Sequence, residues 1–243
     1  MTDSAGVPWQ GRRFEPNAAA DDDGAADPGL IEAIHRFHAG GPGIPEVVLA
    51  LHRARVLVPL VTVRGDEGIG AHGQLVDKTQ ELSIVTVAGP DGRAVLPVFS
   101  SVDTMRTWDA AARPIPLAAA RVALAAAAES TPLIVLDPGS PTEFAVRRPA
   151  LESLATGRAW LPCYQDEAVL DAFLASADGE PVRAVQLAPG DPGARLVAPE
   201  LLVQLSIAGE PARVVRRLGE RWAADELIAE RVDSIAVRLE RVS

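Results

Sequence analysis

A strand, a turn, a second strand and a capped helix follow one another in the stretch Glu81 to Trp108. An apolar run from Leu82 to Val87 and another from Ala94 to Phe99 flank Gly89-Pro90-Asp91-Gly92. Pro90 presets φ for a turn and Gly92 supplies a positive φ at no steric cost, so the two runs are expected to pair as a β-hairpin. The second run leads into Ser100, with Asp103 three residues on in a capping-box arrangement. Val102, Met105 and Trp108 then recur at helical spacing. This unit is scaffold; it contains no catalytic constellation.

With 243 residues, 48% of them hydrophobic, the chain can bury a substantial core as one large domain or two small ones. The longest apolar run, Val122 to Ala128, is far short of the ~20 residues that span a bilayer. The N-terminus lacks the basic-then-apolar pattern of a signal peptide, so the expected compartment is the cytoplasm, with no membrane partner. One cysteine excludes an internal disulfide framework. A net charge of −10 repels a phosphate backbone at long range and disfavours nucleic acid as a partner.

Residues 1–26, rich in Ala, Gly, Asp and Pro, are expected to form a disordered or draped arm, with Trp9 and Phe14 as anchors. Residues 27–160 form the larger predicted domain. Asp27-Pro28 starts a helix, a second opens at Pro45, and Val56 to Val63 is a strand in which Pro59 implies an edge position or a bulge. Pro114 to Ala118, Ala119 to Glu129 and Leu133 to Leu136 suggest a β-α-β unit, followed by a strand at Thr142 to Arg147 and a helix stopped by Gly157. Residues 161–243 form a smaller unit: a helix from Asp166 to Ala177, strands at Val182 to Leu187 and Leu201 to Ile207, a helix from Pro211 to Ala223, and a strand at Ile235 to Leu239. The expected fold is α/β (α+β): a mixed β-sheet with packed helices, then a β-β-α-β unit.

Candidate chemistry is sparse. Gly68-Ile69-Gly70-Ala71-His72-Gly73 fits a dinucleotide pattern, but it leads to a strand rather than a helix, so it reads as a glycine loop. Glu32, His35 and His38 stand at successive i, i+3 steps without a matching second helix, so no metal site is expected. Cys163 has no basic neighbour in sequence to lower its pKa and reads as a buried, inert thiol. Arg213, Arg216, Arg217 and Arg221 read as a solvated helix face, with docking of an acidic protein partner as the alternative. Two residues remain as binding candidates. Asp137 stands at the carboxyl end of a buried strand, where α/β proteins place ligands, although Asp-Pro-Gly-Ser-Pro also makes a turn. Lys78 is the lone lysine, just before the hairpin.

The span Lys78 to Ser130, followed by Leu133 to Pro141, resembles the N-terminal domain of the SseB family. The marks are Lys78-Thr79, Leu96-Pro97-Val98-Phe99-Ser100-Ser101, Trp108 and Asp137-Pro138. The resemblance covers about residues 28 to 160, and the remainder looks like the C-terminal extension of the longer bacterial members. It implies a cytoplasmic protein with no established reaction, so no catalytic residue, metal or cofactor is carried over. Lys78, Phe99, Trp108 and Asp137 are then either a binding surface or hairpin-to-helix packing.

The leading expectation is therefore a non-enzymatic cytoplasmic protein that binds or regulates another protein. Its rival is a small-molecule binder or enzyme with a pocket near Lys78 and Asp137. A third reading is a homo-oligomer formed through an open sheet edge.

Overall fold

The computed structural model describes residues 22–41, 43–63, 68–69, 75–76, 81–128, 131, 133–208 and 210–240. Two helices, α1 (Pro28–His38) and α2 (Ile44–Arg53), precede strand β1 (Arg55–Val63). The Asp27 carboxylate accepts from the Leu30 N–H at 2.9 Å, capping α1 as its Asp-Pro start requires. Leu30, Ala33 and Ile34 form its buried stripe. The short strands β2 (Gly68–Ile69) and β3 (Leu75–Val76) pair with each other. Then come β4 (Glu81–Ile84), β5 (Val87–Ala88), β6 (Ala94–Val98), α3 (Val102–Trp108), β7 (Arg113–Ala118), α4 (Ala119–Ala128), β8 (Ile134–Leu136), β9 (Phe144–Val146) and α5 (Arg148–Thr156).

The hairpin differs from the expectation. Its turn forms: Gly92 has φ 81°, and the Gly89 N–H donates to the Arg93 carbonyl at 2.8 Å. Yet only Val87 and Ala88 pair with β6, while β4 pairs antiparallel with β1. Prolines explain the division. Leu57 and Phe99 exchange two backbone hydrogen bonds, of 2.8 and 2.9 Å, which begin an antiparallel β1–β6 ladder. Continuing that register sets Pro59 opposite Pro97, and neither has an N–H to donate. The ladder stops after one bridge; beyond it β1 takes β4 as its neighbour and β6 takes β5.

The predicted β-α-β unit is also revised. The strands flanking α4 lie in different ladders: β7 pairs antiparallel with β1, whereas β8 is parallel to β6 and antiparallel to β9. Pro114 and Pro116 leave β7 two donors short, which restricts it to an edge, and it is the edge in the order β4-β1-β7. Helices α1, α2, α4 and α5 pack with both ladders around one core that runs from Leu30 to Leu154 and takes in Ala194.

A turn of 3-10 helix (Cys163–Gln165) leads to α6 (Glu167–Ser176), β10 (Val182–Pro189), β11 (Leu201–Ile207), α7 (Pro211–Ala224), α8 (Glu226–Arg231) and β12 (Ile235–Glu240). In this sheet, β11 is central, antiparallel to β10 and parallel to β12. Leu201, Val203, Leu205 and Ile207 are buried, and they join Val169, Phe173, Val214, Leu218 and Trp222 in a second core. Helix α8 was not legible as a separate element; the Asp225 side chain starts it by accepting from the Ile228 N–H at 2.9 Å.

The loop between β10 and β11 reaches into the first unit. Ala194 sits in the first core, and Leu196 packs with Val95, Leu133, Val135 and Ala145. The Ala145 N–H donates to the Ala194 carbonyl at 2.7 Å, closing the free edge of β9. Both inserted residues are left-handed, with φ 50° and 57°. That geometry is unfavourable for residues with a Cβ, and it persists because the surrounding contacts over-determine it.

Two glycines provide a test. Gly92 and Gly157 are both left-handed, but a Cβ on Gly92 meets nothing within 4 Å, whereas one on Gly157 lies 2.7 Å from His52 Nε2. His52 Nδ1 is itself hydrogen-bonded to the Leu154 carbonyl at 2.8 Å. Gly92→Ala should destabilise by about 1 kcal/mol and Gly157→Ala by about 2–3 kcal/mol, read from urea midpoints. Equal losses would show that His52 yields freely.

Candidate functional site

The buried strand β8 ends at Asp137, where the backbone takes φ 48° and turns into Asp-Pro-Gly-Ser-Pro. The Asp137 carboxylate has no exposed surface. Oδ1 accepts from the Ser100 N–H at 2.7 Å and the Thr104 hydroxyl at 2.9 Å. Oδ2 accepts from the Ser100 hydroxyl at 2.6 Å and the Thr142 hydroxyl at 2.7 Å. Four neutral donors thus hold one carboxylate between the end of β6, the start of α3 and the β8–β9 turn. Ser100 is consequently not the cap of α3. Ser101 is, with its hydroxyl accepting from the Thr104 N–H at 3.1 Å and Thr104 completing the capping box.

Lys78, the other candidate, lies outside the described residues, as do Trp9 and Phe14. Phe99 is fully buried, and Trp108 is half-buried with its ring 5.3 Å from that of Phe99. Their cluster with Leu57, Met105 and Ala112 is hydrophobic packing of the kind that joins a strand to a helix.

A second polar centre joins the two units. Arg93, immediately after the hairpin turn, grips Asp233 with two bonds of 2.9 Å, and its Nε reaches Asp91 at 2.8 Å. Arg147, at the start of α5, donates to Asp233 at 3.0 Å and Asp191 at 2.6 Å. Asp191 Oδ2 also receives the N–H groups of Arg195 and Leu196, at 3.0 and 2.7 Å, which shapes the inserted loop. Glu200 accepts from the Asp233 N–H at 2.7 Å. Arg148 donates to the carbonyls of Ala229, Glu230 and Val232, satisfying groups left open at the end of α8. A cavity of about 20 Å³ lies among Arg147, Trp160, Tyr164, Asp191 and Glu200, room for a single water.

Burial sets the electrostatics of this junction. It would push Asp233 up, but the guanidinium groups of Arg93 and Arg147 outweigh it and hold the carboxyl below its ordinary range. Glu200 has no ion pair among the described residues, and burial raises its pKa despite the Asp233 N–H and the more distant charges of Arg147 and Arg148. Burial, with the Glu200 charge nearby, also pushes the Cys163 thiol well up and the Tyr164 phenol up to about 12.

The family model described as SseB protein N-terminal domain matches residues 30–153, just over half of the chain. The chain belongs to the SseB family. No curated protein and no solved structure gives a match. The matched span of this SseB member contains the whole Asp137 centre together with Arg93, its neighbour Asp91 and Arg147; the carboxylates that those arginines reach in the second unit, Asp191 and Asp233, lie beyond it.

Other sequence candidates fall apart in space or serve structure. Glu32, His35 and His38 are all exposed on α1, and no cluster of three potential ligands suits a metal among the described residues. Among those residues no helix is long and apolar enough to cross a membrane. The arginine face of α7 is partly engaged: Arg217 and Arg221 both pair with Glu180, and Arg221 also bonds the carbonyls of Ser176, the last residue of α6, and Asp178. Arg213 and Arg216 are exposed. Sequence reasoning missed the junction because Arg93, Arg147, Asp191, Glu200 and Asp233 are spread over the chain; the only local hint was Asp191 in a Gly-Asp-Pro-Gly turn.

Removing the Asp137 acceptors with Asp137→Ala should destabilise by about 3 kcal/mol or more, since the Ser100, Thr104 and Thr142 donors lose their partner. At the junction the two carboxylates have opposite signs. Asp233, depressed in the fold, lends stability above the ordinary carboxylate range and loses it as pH falls through its folded value. Glu200, raised in the fold, contributes fully below that range and loses its contribution as pH rises through its folded value. Urea midpoints should show Asp233→Asn losing about 3 kcal/mol at pH 7, whereas Glu200→Gln gains stability at pH 8 and nothing at pH 4. A pH-independent effect of Glu200→Gln would refute the assignment.

Proposed function

We propose that this SseB-family chain is a cytoplasmic, non-catalytic protein that binds and regulates another protein, with a groove between α4 and α5 as its docking surface. The groove carries the reading. It has a volume of about 590 Å³ and is lined by Ala123, Leu124, Ala127, Leu151 and Ala155, with Arg148 and Glu152 beside them. Leu124, in the middle of an otherwise alanine-rich helix, is 60% exposed at this groove. Small side chains on two packed helices let a third backbone approach closely, so the occupant with the best fit is an amphipathic helix of the partner. The chain's charge of −10 favours a partner whose flanking residues are basic.

The state of the buried polar groups supports a non-catalytic role. Asp137 is engaged by four donors, Arg147 and Asp233 by each other and their neighbours, and the Cys163 thiol is held protonated by burial. A small-molecule site near Lys78 and Asp137, the rival reading, would have to displace donors already seated on Asp137.

The tagged chain should capture a specific protein from its native host, and Leu124→Asp should abolish that capture while leaving the thermal midpoint within about 1 °C, because Leu124 is exposed. Capture undiminished by Leu124→Asp would remove the groove as the docking surface.

A further inference from the structure

Strand β12 is the open edge of the second sheet: it pairs with β11 on one side and with no strand on the other among the described residues. The Leu201 N–H donates to the Ser234 carbonyl at 3.0 Å, and Leu201 stands opposite Ile235 in the parallel register. Backbone groups alternate along a strand, so those of Ala236, Arg238 and Glu240 turn toward β11. Those of Ile235, Val237 and Leu239 turn outward.

Side chains alternate as well. Ile235, Val237 and Leu239 share the helix-covered face, where an apolar hollow of about 410 Å³ lies between β12 and the flank of α7 and α8. Leu239, two residues beyond Val237 on the same face, is 48% exposed. Arg238 and Glu240 share the opposite face; both are exposed, and neither has an ion-pair partner among the described residues.

These observations identify a self-complementary edge. We propose that two copies of this chain associate through β12, antiparallel and centred on Leu239, making one continuous sheet with three strands from each copy. The outward N–H and C=O of Leu239 exchange hydrogen bonds with those of its counterpart. Arg238 of each copy then stands opposite Glu240 of the other, in a non-hydrogen-bonded pair where side chains approach most closely. The two-fold axis makes this favourable pair twice. The two Leu239 side chains meet across the axis and cover the adjoining mouths of the two hollows. A register centred on Val237 is disfavoured, because it sets Arg238 opposite Ala236 and diagonally beside the second Arg238.

The same register supplies the test. Sedimentation velocity of the full chain at micromolar concentration should show a dimer. Leu239→Pro removes an outward N–H and the Leu239 side chain at the axis but spares the β11 ladder, so it should give a monomer with an unchanged circular dichroism spectrum. Glu240→Arg alone should weaken the dimer about tenfold or more, and the swap Arg238→Glu with Glu240→Arg should restore it to within about threefold. A monomeric wild type, or a dimer that survives Leu239→Pro, would overturn the proposal. Failure of the charge swap to restore what Glu240→Arg loses would overturn the register. Leu124→Asp, which addresses the α4–α5 groove, should leave the dimer intact.

Discussion

Two prolines facing each other decide how the first unit is built. The reciprocal hydrogen bonds of Leu57 and Phe99 start a ladder that Pro59 and Pro97 cannot continue, since a hydrogen-bonded pair needs a donor on each side. Each strand therefore keeps a single point of contact with the other and spends the rest of its length on different neighbours. The sheet divides there, and the division lets one helix layer cover both halves around one core. Phe99, at the point of contact, is fully buried, and the next residue along the chain is the one whose backbone and hydroxyl both reach Asp137.

The two polar centres satisfy buried charge in different ways. Among the described residues no cation pairs with Asp137, and its carboxylate is held by four short hydrogen bonds from three side chains and one amide. Such an arrangement demands fixed geometry, because the donors come from Ser100, Thr104 and Thr142, at the end of β6, in α3 and in the β8–β9 turn, and are lost if any of these moves. The junction uses paired charges, with Arg147 between Asp191 and Asp233 and Arg93 closing from the hairpin. Paired buried charges add little net stability over an apolar contact of equal size, but breaking one is costly, so they favour one relative placement of the units over alternatives.

Legibility in the sequence followed the range of the signal. The start of α1, the turn at Gly89 to Gly92, the end of α5 at Gly157 and the alternation of β11 were all readable, because each depends on residues within one turn or one strand. The mixed α/β architecture and, apart from α8, the β-β-α-β order of the second unit followed from those elements. The division of Leu82 to Val87 between two ladders was not readable. It depends on Pro59 meeting Pro97, which are far apart in sequence, and each proline alone said only that a donor was missing. Ser100 was mistaken for a helix cap because Ser100 and Ser101 are equivalent by local rules, and only the distant Asp137 distinguishes them. Asp137 was recognised as unusual from its position at a strand end, but its four partners were not. The junction carboxylates were invisible for the same reason.

The SseB match ends at residue 153, yet the core of that unit is not complete until Ala194 and Leu196 have been laid against Val95, Leu133 and Ala145. The segment defined by family likeness and the segment that can seal its own interior are thus different lengths of chain. During synthesis from the N-terminus, the outer edge of β9 and the socket for Leu196 stay open while the intervening helix and strand emerge, and a nascent chain halted in that interval exposes apolar surface and an open strand edge at once.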